Sequence, residues 1–296
     1  GYKGETATNN TTFELTSPVK NINTQLGYTT IQAAINTPET QNGHTILVSA
    51  GTYYEHVTIT KSLALFGENA ENTIIDGNGT GHVIYITANT VTVTGFTIQN
   101  GGPTGNGLHI WYAHNIVVSN NIVSHSQYGL QAVHSSNISI TNNLILNNGV
   151  GDIWGAGINP VHSSYCYIAG NTLINNTIDG IVISEFSHNN IVVNNTVSNT
   201  LTHHGISIWH SSFNNTVINN IAYSSEMAGL FIGKSSHNNI LTNNIAYNNH
   251  FGIGIWDQNP CNNTISGNTI RNNGVGIDLY NATQNHIYHK SFIDNT

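Results

Sequence analysis

The residues of this sequence that could do chemistry recur at one position of a repeated motif. In the later part of the chain, eight glycines are each followed by an apolar–x–apolar triplet, as in "GIVI" at Gly180. The fifth residue after each glycine is polar or titratable, and in chain order these residues are Tyr112, His134, His162, Glu185, His210, Lys234, Asp257 and Asn281. The fourth residue is aromatic in half of the motifs, at Trp111, Trp209, Trp256 and Tyr280. Carboxylates and imidazoles are the groups that most often transfer protons in general acid–base catalysis.

A sugar polymer is the ligand that this combination of residues suits. Sugar rings present apolar faces that stack on aromatic side chains, and polar edges that accept or donate hydrogen bonds. We therefore take Asp179, Glu185 and His210 as candidate catalytic residues, and a carboxylate pair for glycoside hydrolysis must lie about 5–9.5 Å apart. The candidate substrate-binding residues are Trp209, Trp256, His134, His162, Lys234 and Asp257. The alternative is an ordinary solvated surface, because the end of a strand tolerates any polar residue.

The sequence predicts no metal site and no cofactor. A metal site needs three or four His, Cys, Asp or Glu side chains that meet at one point. His134, His162 and His210 lie in different motifs, so only pairs from adjacent motifs could meet. The glycines between residues 101 and 107 do not follow the pattern of a dinucleotide-binding loop, which argues against a phosphate site.

The composition excludes several classes of partner. Only 7% of the residues are charged, and 6 basic against 14 acidic residues give a net charge of −8. The chain therefore offers no basic surface to nucleic acid. No run of 18 apolar residues occurs, so no transmembrane segment is predicted. The chain begins "GYKGETATNN", without Met or an apolar signal-peptide core, which indicates a mature secreted product or a trimmed chain.

The spacing of the glycine motifs predicts the fold. Successive glycines lie 22 to 28 residues apart, and two further short apolar segments follow within each unit. Apolar residues alternate with period two, so each unit consists of three short strands. Such units stack into a single-stranded right-handed parallel β-helix, an all-β solenoid that we predict has about 11 coils. Ile206, Leu230 and Ile253 should then lie above one another in its interior.

Paired asparagines recur between the strands, as in "NNTVINN" at 214–220. Asn tolerates the left-handed backbone conformation, so we place these pairs at the bends of each coil. We expect one Asn of each pair to face inward and the other to face solvent. Inward amides that align from coil to coil can form hydrogen-bonded ladders.

Three regions of the chain differ in how regularly the sequence motif repeats. Residues 1–27 belong to no repeat and are predicted to form an N-terminal arm, residues 28–106 an N-terminal cap with irregular first coils, and residues 107–296 the regular coils. In "YTTIQAAIN" (28–36), apolar residues at helical spacing follow a Thr that can cap, which predicts a short helix over the open end of the solenoid. The sequence stops within a coil, for which three explanations compete: a trimmed chain, a disordered remainder, or an end that pairs with another molecule. The last of these would let molecules stack end to end.

Two cysteines and nine glycosylation sequons complete the candidate residues. Four coils separate Cys166 from Cys261, about 19 Å at the strand spacing, and a disulfide needs Cα atoms within about 7 Å. Cys166 aligns with the inward Ile138 and is predicted to be a buried thiol. Sequons, which permit N-glycosylation, begin at Asn9 and Asn10 in the predicted arm and at the seven candidates Asn78, Asn137, Asn175, Asn194, Asn214, Asn262 and Asn281.

The segment "HTILVSAGTYYEHVTITKSLALFGENAENTIIDGNG" (44–79), preceded by "TIQAAIN" and followed by the Asn-rich coils, resembles a known family. This is the family of secreted right-handed parallel β-helix proteins with carbohydrate-binding and sugar-hydrolase type repeats. It includes pectin-degrading enzymes, alginate epimerases, archaeal surface proteins and a periplasmic protein linked to copper delivery. The resemblance implies the fold from about residue 28 onward, but not one activity, because one fold hosts many functions.

Two functions follow as expectations. The first is an extracellular or cell-surface structural protein, glycosylated and associating end to end into filaments or a surface layer. The alternative is a protein that binds or degrades a polysaccharide, as a hydrolase, lyase or epimerase, and whose partner is a cell-surface glycan. The Asn-Thr-Asp and Asp-Pro-His-Glu motifs that polygalacturonases and alginate epimerases would imply are absent. Uronate lyases need a cation to neutralise a carboxylate, and only Lys234 lies among the regular middle coils.

Overall fold

The structure is a computed structural model that describes residues 17–151 and 154–295. It is a right-handed parallel β-helix, as the sequence predicts, whose wall consists of three parallel sheets. From β3 onward the chain passes from sheet A to sheet B to sheet C in every coil, so each strand away from the two ends of the solenoid pairs with the strand one coil before it and one coil after it. Two sheets contain 13 and 11 strands and the third contains 10, which corresponds to ten to eleven coils in the described residues.

The strands are numbered in chain order. Sheet A contains β1 (Val19–Asn21), β2 (Gly27–Tyr28), β3 (His44–Val48), β6 (Leu63–Gly67), β9 (Val91–Thr94), β12 (His114–Ser119), β15 (Ser136–Thr141), β18 (Tyr167–Ala169), β21 (Ile191–Val193), β24 (Thr216–Ile218), β27 (Ile240–Thr242), β30 (Thr264–Ser266) and β33 (His286–Tyr288). Sheet B contains β4 (Gly51–Tyr54), β7 (Thr73–Asp76), β10 (Thr97–Gly102), β13 (Ile122–Ser126), β16 (Leu144–Leu146), β19 (Thr172–Ile174), β22 (Thr196–Ser198), β25 (Ile221–Tyr223), β28 (Ile245–Tyr247), β31 (Thr269–Arg271) and β34 (Ser291–Ile293). Sheet C contains β5 (Val57–Ile59), β8 (Ile84–Ile86), β11 (Leu108–Trp111), β14 (Tyr128–Val133), β17 (Ala156–Val161), β20 (Asp179–Ile183), β23 (Ile206–Ile208), β26 (Ala228–Gly233), β29 (Phe251–Trp256) and β32 (Val275–Leu279).

The N-terminal region joins the solenoid directly. Strand β1 pairs antiparallel with both β2 and β3, so residues 19–28 belong to sheet A, and residues 1–16 of the predicted arm lie outside the described residues. The helix α1 (Ile31–Asn36) begins after Thr30, whose hydroxyl accepts a hydrogen bond from the Ala33 N–H at 3.1 Å. Its apolar residues are buried, and its role as a cap stays a prediction. The sheets continue through residue 106, because β8 pairs with β11.

The core consists of aliphatic side chains that stack along the axis. Ile206 pairs with Leu230 and Leu230 with Ile253, and all three side chains are buried. The register that the sequence predicts for sheet C is therefore correct. The glycine that begins each repeated motif follows from the same stacking. A Cβ atom on Gly180 would lie 2.6 Å from the carbonyl oxygen of Gly205 in the next coil, which is closer than side-chain carbons approach backbone.

Asparagine ladders form at the bends, as predicted. The first Asn of a pair adopts a positive φ and is exposed, as at Asn219, and the second is buried, as at Asn220. One ladder joins side-chain amides over seven coils at 2.9–3.2 Å, through Asn121, Asn143, Asn171, Asn195, Asn220, Asn244 and Asn268. A second ladder runs from Asn190 to Asn285. These amides satisfy backbone groups that the bends would otherwise leave buried and unpaired.

The two cysteines are free thiols, as predicted. Cys166 aligns with Ile138 and is fully buried, and burial raises the pKa of its thiol to about 12. Cys261 lies at a bend and is partly exposed. Among the described residues, no helix has the length and hydropathy that a membrane span requires.

Candidate functional site

A groove of about 610 Å³ lies on the outer face of sheet C. It runs diagonally across the coils, from Tyr128 in β14 to Asp257 after β29. Gln131, Asn159 and Val182 lie along it. Six of the predicted site residues line this groove, and they are Asp179, Glu185, Trp209, His210, Lys234 and Asp257. The structure therefore brings together most of the residues that the motif positions single out, although their roles stay predictions.

The charged end of the groove is a column of four residues on successive coils, Glu185, His210, Lys234 and Asp257. The Nδ1 atom of His210 lies 3.3 Å from Oε1 of Glu185, but its geometry does not make a hydrogen bond. Burial lowers the pKa of His210, and Lys234 adds to this, while Glu185 and Asp257 oppose it. The Nζ atom of Lys234 lies 5.2 Å from the centre of the Trp209 ring, a cation–π distance.

The backbone of this column is itself unusual. Its residues adopt positive φ angles, 54° at Glu185, 50° at His210, 48° at Lys234 and 75° at Asp257. The left-handed region is unfavourable for residues other than Gly and Asn, and the other bends of the solenoid mostly use Asn there. Residues held in this conformation where Asn would fit better indicate a functional constraint.

Asp179 lines the groove at the start of β20, in the same coil as Glu185 but at the other end of that strand. Its side chain is buried, and Oδ1 accepts a hydrogen bond from the backbone N–H of His204 at 3.0 Å. Burial raises the pKa of Asp179 to about 7, although that hydrogen bond opposes the shift. A carboxyl group that keeps its proton near neutral pH can donate a hydrogen bond or act as an acid.

Asp179 and Glu185 lie at the two ends of one extended strand. The Cα atoms of Asp179 and Ile183 lie about 13 Å apart at 3.3 Å per residue, and Glu185 lies two residues further on, after a bend. A hydrolytic pair needs about 5–9.5 Å between its carboxyl groups, so this placement does not favour the pair, which stays a prediction. The reason is that both residues flank one extended strand, whereas close pairs in a solenoid come from adjacent coils.

The aromatic residues of the site differ from the prediction. Trp209 is packed, because Phe231 lies 4.6 Å and Lys234 5.2 Å from its ring. Trp256 packs against Phe231 and Phe251 and does not line the groove. Trp154, which the motif positions do not include, lines the groove with 61% of its surface exposed, and it has no ring partner within the described residues. The long 28-residue interval between Gly129 and Gly157 was the signal that could have located it.

His134 and His162 lie outside the groove. They stack on each other with ring centres 4.7 Å apart, between Tyr112 and Phe186. Among the described residues, no group of three His, Cys, Asp or Glu side chains is placed to hold a metal ion. The seven sequon residues from Asn78 onward are exposed and lie at bends with positive φ, and their glycosylation stays a prediction; Asn9 and Asn10 lie outside the described residues.

Comparisons with known proteins agree with this fold and location. The chain is 34% identical over 108 residues to a cell surface glycoprotein of Methanothermus fervidus, a match that covers 36% of this chain and 18% of that protein. The A-module of the mannuronan C-5 epimerase AlgE6 of Azotobacter vinelandii superposes with a TM-score of 0.72 at 15% identity, covering 94% of this chain and 95% of that one. An alginate lyase of Paenibacillus superposes with a TM-score of 0.60 at 16% identity, covering 88% and 95%. At these identities the superpositions show the fold alone.

The family comparison covers most of the chain. The sequence matches the family described as periplasmic copper-binding protein (NosD) over residues 35–221 and 184–296. The family description and the surface glycoprotein both support the extracellular or cell-surface location that the sequence predicts. With nearly all of the solenoid matched, the chain belongs to the NosD family of parallel β-helix proteins.

Proposed function

We propose that this protein is a cell-surface β-helix that binds a glycan chain in the groove on sheet C. The observation that carries the proposal is the groove itself, which the exposed Trp154 ring lines together with buried polar groups and a charged column. Exposed aromatic rings beside hydrogen-bonding groups form the usual sugar-binding surface. The glycoprotein relative supports the surface location and not the ligand.

The shape of the groove favours a polymer over a small molecule. Five coil spacings separate β14 from β29, which corresponds to about 24 Å along the axis. Polar side chains line one part of it, where Nε2 of Gln131 donates to Oδ1 of Asn159 at 3.2 Å. A chain of several sugars can contact this line of groups at once, whereas a single sugar can contact only one part.

The binding test uses soluble oligosaccharides and isothermal titration calorimetry. We expect Trp154→Ala to weaken binding at least tenfold, because it removes the exposed ring of the groove. The matched control is Tyr54→Ala, since Tyr54 is 72% exposed on sheet B, away from the groove. Equal affinity of Trp154→Ala and the wild type, or no binding across neutral, basic and acidic oligosaccharides, would overturn the proposal.

A second candidate function is polysaccharide cleavage or epimerisation at the same groove. The observation that favours it is the buried Asp179 carboxyl with its raised pKa, since perturbed titratable groups in clefts mark reactive sites. Turnover of a bound oligosaccharide that disappears in Asp179→Asn, with binding retained, would support it. Binding without turnover would leave the protein a binder.

The copper of the family description is not part of this proposal. A copper site needs several nitrogen or sulfur ligands that converge. Within the described residues, no three His, Cys, Asp or Glu side chains are placed to hold a metal ion. His210 with Glu185 supplies one nitrogen and one carboxylate ligand at most. The residues present therefore do not fit a dedicated copper centre.

End-to-end association is a separate prediction. Electron microscopy tests it directly, because stacking would give filaments that repeat at about 50 Å, the length of the solenoid at the strand spacing. A single population of isolated particles at high concentration would contradict it.

A further inference from the structure

We propose that the groove takes chains of neutral or amino sugars and rejects chains of uronic acids. This inference rests on the proposed glycan-binding function and adds the chemical class of the ligand. The charges that line the groove carry it. Glu185 and Asp257 place two carboxylates in the charged column, whereas Lys234 is the only Lys or Arg side chain among the described residues that line the groove.

The order of these charges along the axis strengthens the expected rejection of uronic acid chains. Lys234 lies between coils that carry His210 on one side and Asp257 on the other, and its N–H donates to the Asp257 carbonyl oxygen at 2.7 Å. Glu185, one coil before His210, lies 3.3 Å from the imidazole. A uronic acid chain carries a carboxylate on every sugar. To place one carboxylate at Lys234, it must place others close to Glu185 and Asp257, about one or two coil spacings away.

The histidines do not balance these carboxylates. Burial lowers the pKa of His203. Burial also lowers the pKa of His210, and Lys234 adds to this shift, while the neighbouring carboxylates oppose it. Neither histidine is therefore expected to add positive charge at neutral pH. Lys234 is also held at the Trp209 ring by a cation–π contact. The net charge of −8 adds a repulsion for any polyanion that approaches the molecule.

The charges of the groove distinguish this chain from two proteins of similar fold. The epimerase and the lyase with similar folds are named for mannuronan and alginate, which are uronic acid polymers. Likeness at 15–16% identity shows the fold alone. The charges that line the groove, and not the fold, set the class of sugar. They favour sugars that carry no carboxylate.

The experiment compares three oligosaccharides of equal length by calorimetry, namely hexamers of N-acetylglucosamine, glucosamine and galacturonic acid. We expect the galacturonate to bind at least tenfold more weakly than the better of the other two. The double variant Glu185→Gln, Asp257→Asn should then raise galacturonate affinity about tenfold, which corresponds to about 1.4 kcal/mol. Asn keeps the positive φ of residue 257 without strain. The control Glu226→Gln removes an exposed carboxylate that lies outside the groove and should change nothing.

Salt provides a second readout, because screening weakens long-range repulsion. Galacturonate binding should strengthen as salt is raised, and glucosamine binding should weaken. Equal or tighter binding of galacturonate, lost in Lys234→Ala, would overturn the charge inference and leave glycan binding intact. Absence of binding for all three hexamers would instead overturn the proposed function on which it rests.

Discussion

Removal of one ladder amide tests how the solenoid is held together. Asn220 lies in the middle of the first ladder, where its Oδ1 accepts from both the backbone N–H and the side chain of Asn195, at 2.9 and 3.0 Å. Its Nδ2 donates to Oδ1 of Asn244 at 3.0 Å and to the carbonyl of Val192 at 2.9 Å. One side chain therefore joins three coils, and all of these atoms are buried.

The cost of Asn220→Ala follows from the partners that it leaves. The N–H of Asn195 loses its acceptor, and a buried unpaired group costs about 1–3 kcal/mol. The other lost hydrogen bonds contribute about 1 kcal/mol each. We therefore expect the free energy of unfolding to fall by about 4–6 kcal/mol in urea denaturation followed by circular dichroism.

Amide hydrogen exchange shows where Asn220→Ala acts, which tests the ladder more directly than the total loss of stability does. Amide hydrogen exchange of Asn195 should accelerate in Asn220→Ala, because that N–H is the donor that loses its partner. The control is Asn219→Gly, which changes the exposed neighbour at a positive φ that Gly also adopts. A destabilisation below about 1 kcal/mol, or unchanged exchange at Asn195, would refute the interpretation that the asparagine ladders hold neighbouring coils together.

Two further predictions concern groups that the fold leaves imperfectly satisfied. Because the pKa of Asp179 is about 7 when folded and 3.8 as the ordinary value, the native state binds the proton more tightly, and stability falls as pH rises through this interval. Asp179→Asn should therefore be more stable than the wild type at pH 8, with a ceiling of about 4 kcal/mol, and nearly equal at pH 4; a loss of melting temperature at pH 8 would contradict this. The ladder of Asn148 and Asn176 stops at Thr200 and Ser225, whose hydroxyls have no hydrogen-bond partner in the described residues, and resumes at Asn249. The double variant Thr200→Asn, Ser225→Asn should raise the melting temperature through about 1 kcal/mol per new hydrogen bond, and a lower melting temperature would show that the gap has another cause.

The parts of the fold that repeat could be predicted, and the parts that occur once could not. Stacking requires similar residues at equivalent places, so the spacing of the glycine motifs predicted the register of Ile206 and Leu230 and the burial of Cys166. Trp154 has no equivalent in the other coils, and its position depends on a bend that only tertiary structure defines. The packing of Trp209 against Phe231 joins adjacent coils through side chains that alternation alone classes as outward.

The bend that follows the strands of sheet C differs from the other bends of this solenoid in the residues at its positive-φ position. At the other bends Asn mostly occupies the left-handed position, where its backbone is least strained. At this bend the same conformation is imposed on Tyr, His, Glu and Lys, from Tyr112 to Lys234, each with φ between 46° and 54°. Single residues such as His125 and Tyr165 adopt it at other bends. Burial in the core does not explain the exchange, because Tyr112 is exposed and Glu185 is half-buried. The contacts of Tyr112 here are with the stacked rings of its own column. Residues that cost stability without adding to the core are expected to serve a contact outside the protein. Three of these residues, Glu185, His210 and Lys234, line the groove in which we propose that the glycan binds.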